Sequence, residues 1–110
     1  MIELKFENFI LQVEVADTFF KRFFGLMGRK NLNQGHALLL TDCNNIHMCF
    51  MKFSIDVVFV DEDFKILKIS RRLNTWTGIS FCFKARHTLE LPAGDADRLN
   101  LAVGKNFFKL

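Results

Sequence analysis

The chain has 110 residues, of which 50% are hydrophobic and 25% are charged, and its formal net charge is +3. This composition excludes a disordered chain and is typical of one globular domain, so we expect a single domain over residues 1–110. Basic residues are interleaved with acidic ones and form no run, which argues against a nucleic-acid partner. No apolar run approaches bilayer-spanning length and no leader pattern precedes the first strand, so we expect a cytoplasmic protein with no membrane partner.

Alternating apolar and polar residues predict a β-hairpin in the first segment of the chain. Apolar residues occupy every second position in Ile2–Phe6 and again in Phe9–Val15, as they do in half-buried strands. Glu7 and Asn8 lie between the two runs and predict the turn that joins them.

A helix is predicted over residues 18–28. Asp17 and Thr18 are a start signal, because either side chain can accept from the open N–H groups of a first helical turn. The apolar residues that follow have helical spacing and predict a wide face, which we interpret mainly as core. They are Phe20, Phe23, Phe24 and Met27. Because one sheet covers only part of a helix, we predict that Phe19 or Phe20 is exposed and contacts a second copy of the chain.

Short apolar or alternating segments predict further strands along the rest of the chain. They are Ala37–Leu40, Ile46–Met51, Ile55–Val60, Lys65–Ser70, Ser80–Phe83, Ala85–Leu91 and Asn106–Lys109. Residues 95–100 predict one or two helical turns. Many short strands with one longer helix indicate a mainly β (α+β) fold, a compact antiparallel β barrel or sandwich with the 18–28 helix packed on it.

Several motifs of the chain occur in the order and spacing of a known family. They are VADTFFKRFFGLMGR, CNNIHMCFMKFSIDVVFVDED, LELPAG and VGK. In this combination the chain resembles the domain-of-unknown-function family 192, a prokaryotic family of small domains, from about Val13 onward. The resemblance implies a compact antiparallel β barrel or sandwich with one helix. It implies no activity, substrate or cofactor.

The chain departs from the usual pattern of that family in two places. Phe residues stand in the first helical turns, where the family commonly has polar residues. Phe64 stands in the central hairpin turn, where the family commonly has Gly. Because a left-handed backbone conformation costs a residue such as Phe about 1–2 kcal/mol, we expect this turn to be built in a different way.

Asp56 lies within the most apolar run of the chain, Ile55–Val60. A buried carboxylate must be paired or hydrogen-bonded, because its desolvation is costly. We therefore predict that Asp56 is buried, accepts hydrogen bonds and has a structural role. Lys52, Arg22 and a backbone turn are the candidate partners.

The preferred functional hypothesis is a small binding module without a cofactor. A small polar or anionic ligand, or a segment of a partner, would occupy one end of the barrel. Guanidinium groups bind carboxylate and phosphate well, and Arg86 is one further cation for such a cleft. The candidate binding residues are Arg22, Arg29, His47, Met51, Lys52, Asp56, Trp76 and Glu90.

A hydrolase-like enzyme is the first alternative, and it would use Asp56 or Glu90 with His47. Glu90 is predicted to share the polar face of its strand with Arg86 and Thr88. No spacing rule supports an Asp56–Glu90 acid–base pair, so we rank this hypothesis below the binding module.

A metal or redox site at Cys43, His47 and Cys49 is the second alternative. Thiolates and imidazoles are good zinc ligands, but a structural zinc site usually has four of them, and a fourth is missing from this segment. We predict no metal. Since the three Cys are an odd number without a close pair, we also predict free thiols rather than a disulfide.

Overall fold

The computed structural model describes residues 1–18, 21, 29–48 and 51–110, and this part of the chain contains nine strands and one short helix. The strands are β1 (Ile2–Phe6), β2 (Phe9–Ala16), β3 (His36–Leu40), β4 (Asn45–His47), β5 (Ile55–Val60), β6 (Ile66–Leu73), β7 (Ile79–Phe81), β8 (His87–Pro92) and β9 (Phe108–Lys109). The helix, α1 (Asp95–Arg98), follows β8 closely. No helix among the described residues is long and apolar enough to cross a membrane.

Seven of these strands form one sheet in the order β6-β5-β8-β3-β2-β1-β9, and β4 pairs with β7 in a separate small sheet. The large sheet curls into a half-barrel, so the predicted mainly β class is confirmed. One pairing differs from the antiparallel expectation, because β2 and β3 run parallel. A parallel pair needs a long crossover connection, and residues 17–35 provide it.

The predicted N-terminal hairpin is confirmed. β1 and β2 are antiparallel, with Phe6 paired to Phe9. Glu7 adopts a left-handed conformation with φ 53° in the tight turn between the two strands. The predicted run Ile55–Val60 is also confirmed, since all six residues of β5 are buried.

Only Thr18 and Lys21 of the predicted 18–28 helix are among the described residues. The backbone N–H of Lys21 donates to Oγ1 of Thr18 over 3.2 Å, as expected for a threonine that caps a helix start. The predicted Phe face lies outside the described residues. The homodimer through Phe19 or Phe20 therefore stays a prediction.

The turn before β6 differs from the expectation for Phe64, which does adopt the left-handed conformation, with φ 62°. Oδ1 of Asp61 accepts from the N–H groups of Asp63 and Lys65, each over 2.9 Å, and so fixes the turn. The Phe64 ring also stacks on His87 with the ring centroids 5.6 Å apart. These contacts offset the cost of about 1–2 kcal/mol that a Phe incurs there.

Residues alternate between two faces of the large sheet, and each face has its own apolar cluster. The inner face and the elements that close it contribute Leu4, Phe6, Leu11, Val13, Ala37, Leu39, Val58, Val60, Ile66, Leu89, Leu91, Ala96, Leu99, Leu101 and Phe107. The outer face and the segments that cover it contribute Ala16, Leu38, Leu40, Ile46, Met48, Met51, Ile55, Val57 and Phe59. Both faces of the central strands are therefore buried.

The segment before β9 connects the two edges of the large sheet. β9 is the edge strand of the sheet next to β1, with which it pairs. Just before it, the N–H of Phe107 donates to the carbonyl O of Phe64 over 3.0 Å, and the N–H of Ile66 donates to that of Lys105 over 2.8 Å. Phe107 itself is buried in the inner-face cluster. This segment therefore closes the side of the half-barrel.

The small sheet β4–β7 covers part of the outer face. Ile46 of β4 is paired with Ser80 of β7, and both residues are buried against the large sheet. Oγ of Ser80 lies 2.5 Å from Oγ of Ser70 on β6. The opposite side of the small sheet faces outward.

Candidate functional site

A row of four residues crosses the outer face of the large sheet at the level of Glu90. Glu14 of β2 is paired with Leu38 of β3. Leu38 is paired with Glu90 of β8, which is paired in turn with Val57 of β5. Paired residues project from the same face, and Leu38 and Val57 belong to the outer-face cluster. Glu14 and Glu90 therefore share this face, two strands or about 10 Å apart.

Glu90 is a buried carboxyl in apolar surroundings, with 5% of its surface exposed. Its cross-strand partners, Leu38 and Val57, have no hydrogen-bonding side chain. On the same face of β8, Thr88 donates its hydroxyl to a backbone carbonyl over 2.7 Å, and Pro92 has no N–H to offer. Among the described residues, no hydrogen-bond partner reaches Oε2 of Glu90. Buried polar atoms without a partner are uncommon in folded proteins.

These surroundings determine the charge of Glu90. Burial raises its pKa from 4.5 to about 8, because the ionised form loses its hydration. The positive charge of Arg29 lowers the pKa, but its effect is the smaller one. At pH 7 the carboxyl is therefore mainly protonated, and it can both donate and accept a hydrogen bond.

Arg29 is held at the other end of the row by Glu14. Its Nη1 lies 2.9 Å from Oε2 of Glu14, and its Nη2 donates to Oε1 over 3.1 Å. The hydrogen bond from Arg29 lowers the pKa of Glu14, whose own burial opposes that shift. Both side chains are about half exposed, so this bidentate ion pair lies at the surface. Its two charges neutralise each other.

A surface cavity of about 170 Å³ opens beside this ion pair. That volume is well above the ~15 Å³ that one water molecule needs. Most of the side chains around it are polar. The lining residues are Met1, Gln12, Glu14, Arg29, Asn31, Leu32, Asn33, His36 and Ala37.

Asp56 lies on the opposite side of the sheet from Glu90. Its neighbours in β5, Ile55 and Val57, belong to the outer face, and its cross-strand partner Leu91 belongs to the inner face. Its Oδ1 accepts from the N–H of Arg72 over 2.9 Å. Its Oδ2 accepts from the N–H groups of Gly94 at 3.0 Å and Ala96 at 2.9 Å. The prediction of a buried, hydrogen-bonded Asp56 is confirmed, with a backbone turn rather than a side chain as its partner.

The three donors explain what Asp56 does in the fold. Gly94 is the N-cap residue of α1 and Ala96 lies in its first turn, so the carboxylate caps this helix from another strand. Arg72 lies where β6 bulges opposite Asp56, with φ 50°. The bulge carries β6 on to Leu73, beyond the predicted end at Ser70. Asp56 therefore has a structural role at one end of the half-barrel.

The hydrolase-like alternative loses its geometric basis. Asp56 and Glu90 project from opposite faces of the sheet and cannot converge on one substrate. Ile46 and Met48, on either side of His47, are buried in the outer-face cluster, whereas His47 is exposed. The imidazole therefore points away from the face that carries Glu90.

The remaining predicted binding residues lie around the segment that follows β4, away from Arg29 and Glu14. Met51 is buried in the outer-face cluster, whereas Lys52 is exposed. Trp76 is 56% exposed in a left-handed conformation with φ 67°, and its N–H donates to the carbonyl O of Met48 over 2.8 Å. Of the predicted set, the structure brings Arg29 near Glu90, and it brings Met51 and Trp76 together at the carbonyl O of Met48, to which the N–H of Met51 also donates, over 3.1 Å. Arg22 lies outside the described residues.

The predicted anion-binding cleft is not formed by the arginines that the structure describes. Nε of Arg86 lies 2.7 Å from Oδ1 of Asp42, and Arg29 is paired with Glu14. The guanidinium groups of these two predicted arginines already have a carboxylate each. An anionic ligand would therefore have to displace an existing partner.

Nothing in the described part of the chain gathers three or more His, Cys, Asp or Glu side chains into a metal-binding cluster. Cys43 and Cys82 are free thiols. Sγ of Cys43 donates to the carbonyl O of Asn45 over 3.1 Å. Cys49, the third member of the proposed metal or redox site, lies outside the described residues.

Sequence reasoning missed the partnership of Glu14, Arg29 and Glu90. The alternation of β8 predicted that Glu90 shares a polar face with Thr88, but it gave no sign that neighbouring strands and their cover bury both residues. The parallel pairing that places Glu14 in the same row leaves no signal in the local sequence.

The chain is similar to families and proteins without an established function. A family model described as uncharacterized ACR, DUF192, matches residues 2–107. A UPF0127 protein of Thermococcus sibiricus is 39% identical over 97 residues, which cover 84% of this chain but 62% of that protein. A UPF0127 protein of Pyrococcus abyssi is 37% identical over 99 residues, covering 84% of this chain and 81% of that protein.

Two solved structures share the fold. A putative transcription regulator from Sinorhizobium meliloti has a TM-score of 0.88 at 23% identity and covers 98% of this chain and 91% of that one. A protein of unknown function from Novosphingobium aromaticivorans has a TM-score of 0.85 at 19% identity and covers 97% and 82%. The match over residues 2–107 and the relatives above 30% identity establish that the chain belongs to the DUF192 family.

Proposed function

We propose that this chain is a small binding module whose ligand forms hydrogen bonds with the carboxyl of Glu90. The observation that carries the proposal is the buried Oε2 atom, which has no partner among the described residues. A carboxyl that is buried in this way destabilises the folded protein unless it forms hydrogen bonds. A ligand group that reaches Oε2 would supply the missing hydrogen bond.

The burial of Glu90 favours a small molecule over a partner segment. With 5% of the residue exposed, a partner segment would need a large rearrangement to contact the carboxyl, and a small molecule would need a smaller one. The cavity beside Glu14 and Arg29 opens on the same face of the sheet, but Glu90 is not among its lining residues, so a ligand would have to extend from the cavity toward Glu90. The site we propose is on the outer face of the sheet, whereas the sequence suggested one end of the barrel.

The charges of the site favour a neutral polar ligand over an anionic one. Arg29 and Glu14 neutralise each other, and Glu90 is mainly protonated at pH 7 because burial raises its pKa to about 8. A protonated carboxyl offers one donor and one acceptor side by side. A carboxamide presents the complementary pair, so the ligand class is a small molecule that carries a neutral amide or a similar group.

Acetamide and acetate are matched probes for this proposal, since they share shape and differ in charge. Protein labelled with ¹³C at the glutamate carboxyls would be titrated with each probe and followed by NMR. We expect acetamide to shift the Glu90 carboxyl resonance and acetate to leave it unchanged. Native mass spectrometry of gently purified protein would look in parallel for a retained natural ligand.

Glu90→Leu removes the hydrogen-bonding carboxyl and keeps an apolar side chain of similar length. Glu62→Leu, in an exposed turn, is the matched control. The proposal predicts that the acetamide response and any retained molecule are lost in Glu90→Leu and kept in Glu62→Leu. Retention of the same molecule by Glu90→Leu, or no response of the Glu90 resonance to acetamide, would overturn the proposal.

A further inference from the structure

Three large apolar side chains project from one side of the strand β7 and the residues that follow it. Ile79 is 71% exposed, Phe81 is 49% exposed and Phe83 is 82% exposed. The rings of Phe81 and Phe83 touch, with centroids 5.0 Å apart. We call these three residues the apolar stripe. Such a contiguous exposed group is unusual on a monomer and marks an interaction surface.

The small sheet explains why the apolar stripe faces outward. Alternate residues of a strand point to opposite sides, and Ser80 is buried against the large sheet. Ile79 and Phe81 therefore point away from the protein. Their exposure shows that the side chains protrude from the surface rather than line a groove.

Lysines border the apolar stripe. Nζ of Lys68 lies 5.3 Å from the centroid of the Phe81 ring and donates to the carbonyl O of Phe81 over 2.8 Å. Lys84 follows Phe83 directly and is exposed. The nearby carboxylate of Asp42 is already paired with an arginine at 2.7 Å. The stripe thus combines protruding apolar groups with a basic border.

We propose that the apolar stripe docks on a membrane surface that carries anionic lipid head groups. Protruding apolar side chains enter the interfacial region of a bilayer without needing a complementary shape, and lysines beside them bind anionic head groups. This peripheral contact departs from the sequence expectation of no membrane partner. It is independent of the ligand site at Glu90, which lies on the large sheet.

Other occupants fit the geometry less well. Stacking of successive nucleic-acid bases needs several open ring faces, whereas the stripe offers Phe83 alone, because Lys68 and Phe83 both lie against the Phe81 ring. A symmetric contact with a second copy would bring the lysines of both copies together. An anionic, deformable surface satisfies both the apolar groups and the positive charges.

Co-sedimentation with vesicles tests the proposal. One vesicle set contains phosphatidylcholine alone, and the other contains phosphatidylcholine mixed with phosphatidylglycerol. We expect binding to the mixed vesicles that weakens with added salt, and much weaker binding to the neutral ones. Trp76, the chain's one tryptophan, lies beyond the end of β4 beside this sheet and provides a fluorescence signal, expected to shift to shorter wavelength on binding.

Phe83→Ser should weaken binding to the mixed vesicles by about tenfold, since it removes most of a large apolar contact. Lys84→Gln should weaken binding to the mixed vesicles by about fivefold and leave binding to the neutral vesicles unchanged, since one lysine near an anionic surface contributes about 1 kcal/mol. Phe108→Ser is the matched control, because Phe108 is 62% exposed on β9, outside the stripe. Its binding should equal that of the wild type.

Thermal unfolding of each variant shows that it is folded, which we expect because the replaced side chains are exposed. Absence of binding to the mixed vesicles overturns the proposal. An equal loss in Phe83→Ser and Phe108→Ser also overturns it. If vesicles are not bound, two other results would assign the stripe to a different partner. Dimerisation in sedimentation equilibrium that Phe83→Ser abolishes would assign it to a second copy, and binding of single-stranded DNA that Phe83→Ser abolishes would assign it to nucleic acid.

Discussion

Replacing Glu90 by Gln removes a titrating group from a buried site and keeps its shape. In the folded protein burial raises the pKa of Glu90 to about 8, whereas its ordinary value is 4.5. Between these two values the unfolded chain has lost its proton and the folded chain still holds it. The free energy of unfolding of the wild type therefore falls as pH rises through this window. Gln cannot ionise, so the variant avoids this loss.

The size of the effect follows from the pKa difference, because each unit is worth about 1.4 kcal/mol. At pH 7 the solution is 2.5 pH units above the ordinary pKa of 4.5, at which Glu90 loses its proton in the unfolded chain. This deprotonation stabilises the unfolded chain by on the order of 3 kcal/mol relative to the folded one. Glu90→Gln should therefore be more stable than the wild type by on the order of 3 kcal/mol at pH 7. The two proteins should be equally stable below the ordinary pKa of 4.5, where Glu90 is protonated in both states.

Urea unfolding followed by circular dichroism, at a series of pH values from acid to slightly alkaline, gives the stability difference directly. Glu14, whose pKa is lowered by Arg29, contributes a stability that is lost in acid, but it is present in both proteins and cancels in their difference. Glu62→Gln in an exposed turn is the control. A difference between wild type and Glu90→Gln that does not change with pH would refute the reasoning.

Three further predictions concern the scaffold. Asp56→Ala leaves three backbone N–H groups without their acceptor and should lower the free energy of unfolding by about 3 kcal/mol; an unchanged urea midpoint would contradict the capping role. Titration of the unfolded protein without reductant should find all three thiols, since Cys43 and Cys82 are free, and a count of one would reveal a disulfide. Gly78→Ala should cost about 1–3 kcal/mol, because its Cβ would lie 2.6 Å from the carbonyl O of Asn74; an unchanged melting temperature would show that the loop relaxes freely.

Local signals in the sequence were sufficient for most of the strands and for Asp56. A carboxylate inside the apolar run Ile55–Val60 has to be satisfied, whatever the fold. Burial on both faces of β5 likewise follows from the run itself. Alternation also located the hairpin of β1 and β2. These predictions depend on neighbours in the chain, and they were confirmed.

The site depends on neighbours across the sheet, which the sequence does not display. Thr88 and Glu90 occupy the polar positions of an alternating strand, a pattern that usually indicates a solvent-facing side. The structure gives β8 a partner on each edge and covers its outer face, so the polar positions are buried. The turn at Phe64 could not be predicted for the same reason. The cost of the left-handed conformation of Phe64 is offset by the hydrogen bonds of Asp61 and by the ring of His87.

The closing segment before β9 has a consequence for the newly made chain. Until residues 104–109 have been synthesised, β1 and the start of β6 both present unpaired backbone groups. Open strand edges of this kind pair readily with other chains, and incompletely folded proteins aggregate through them. Truncation just before Gly104 should therefore yield insoluble protein on expression rather than a slightly less stable monomer.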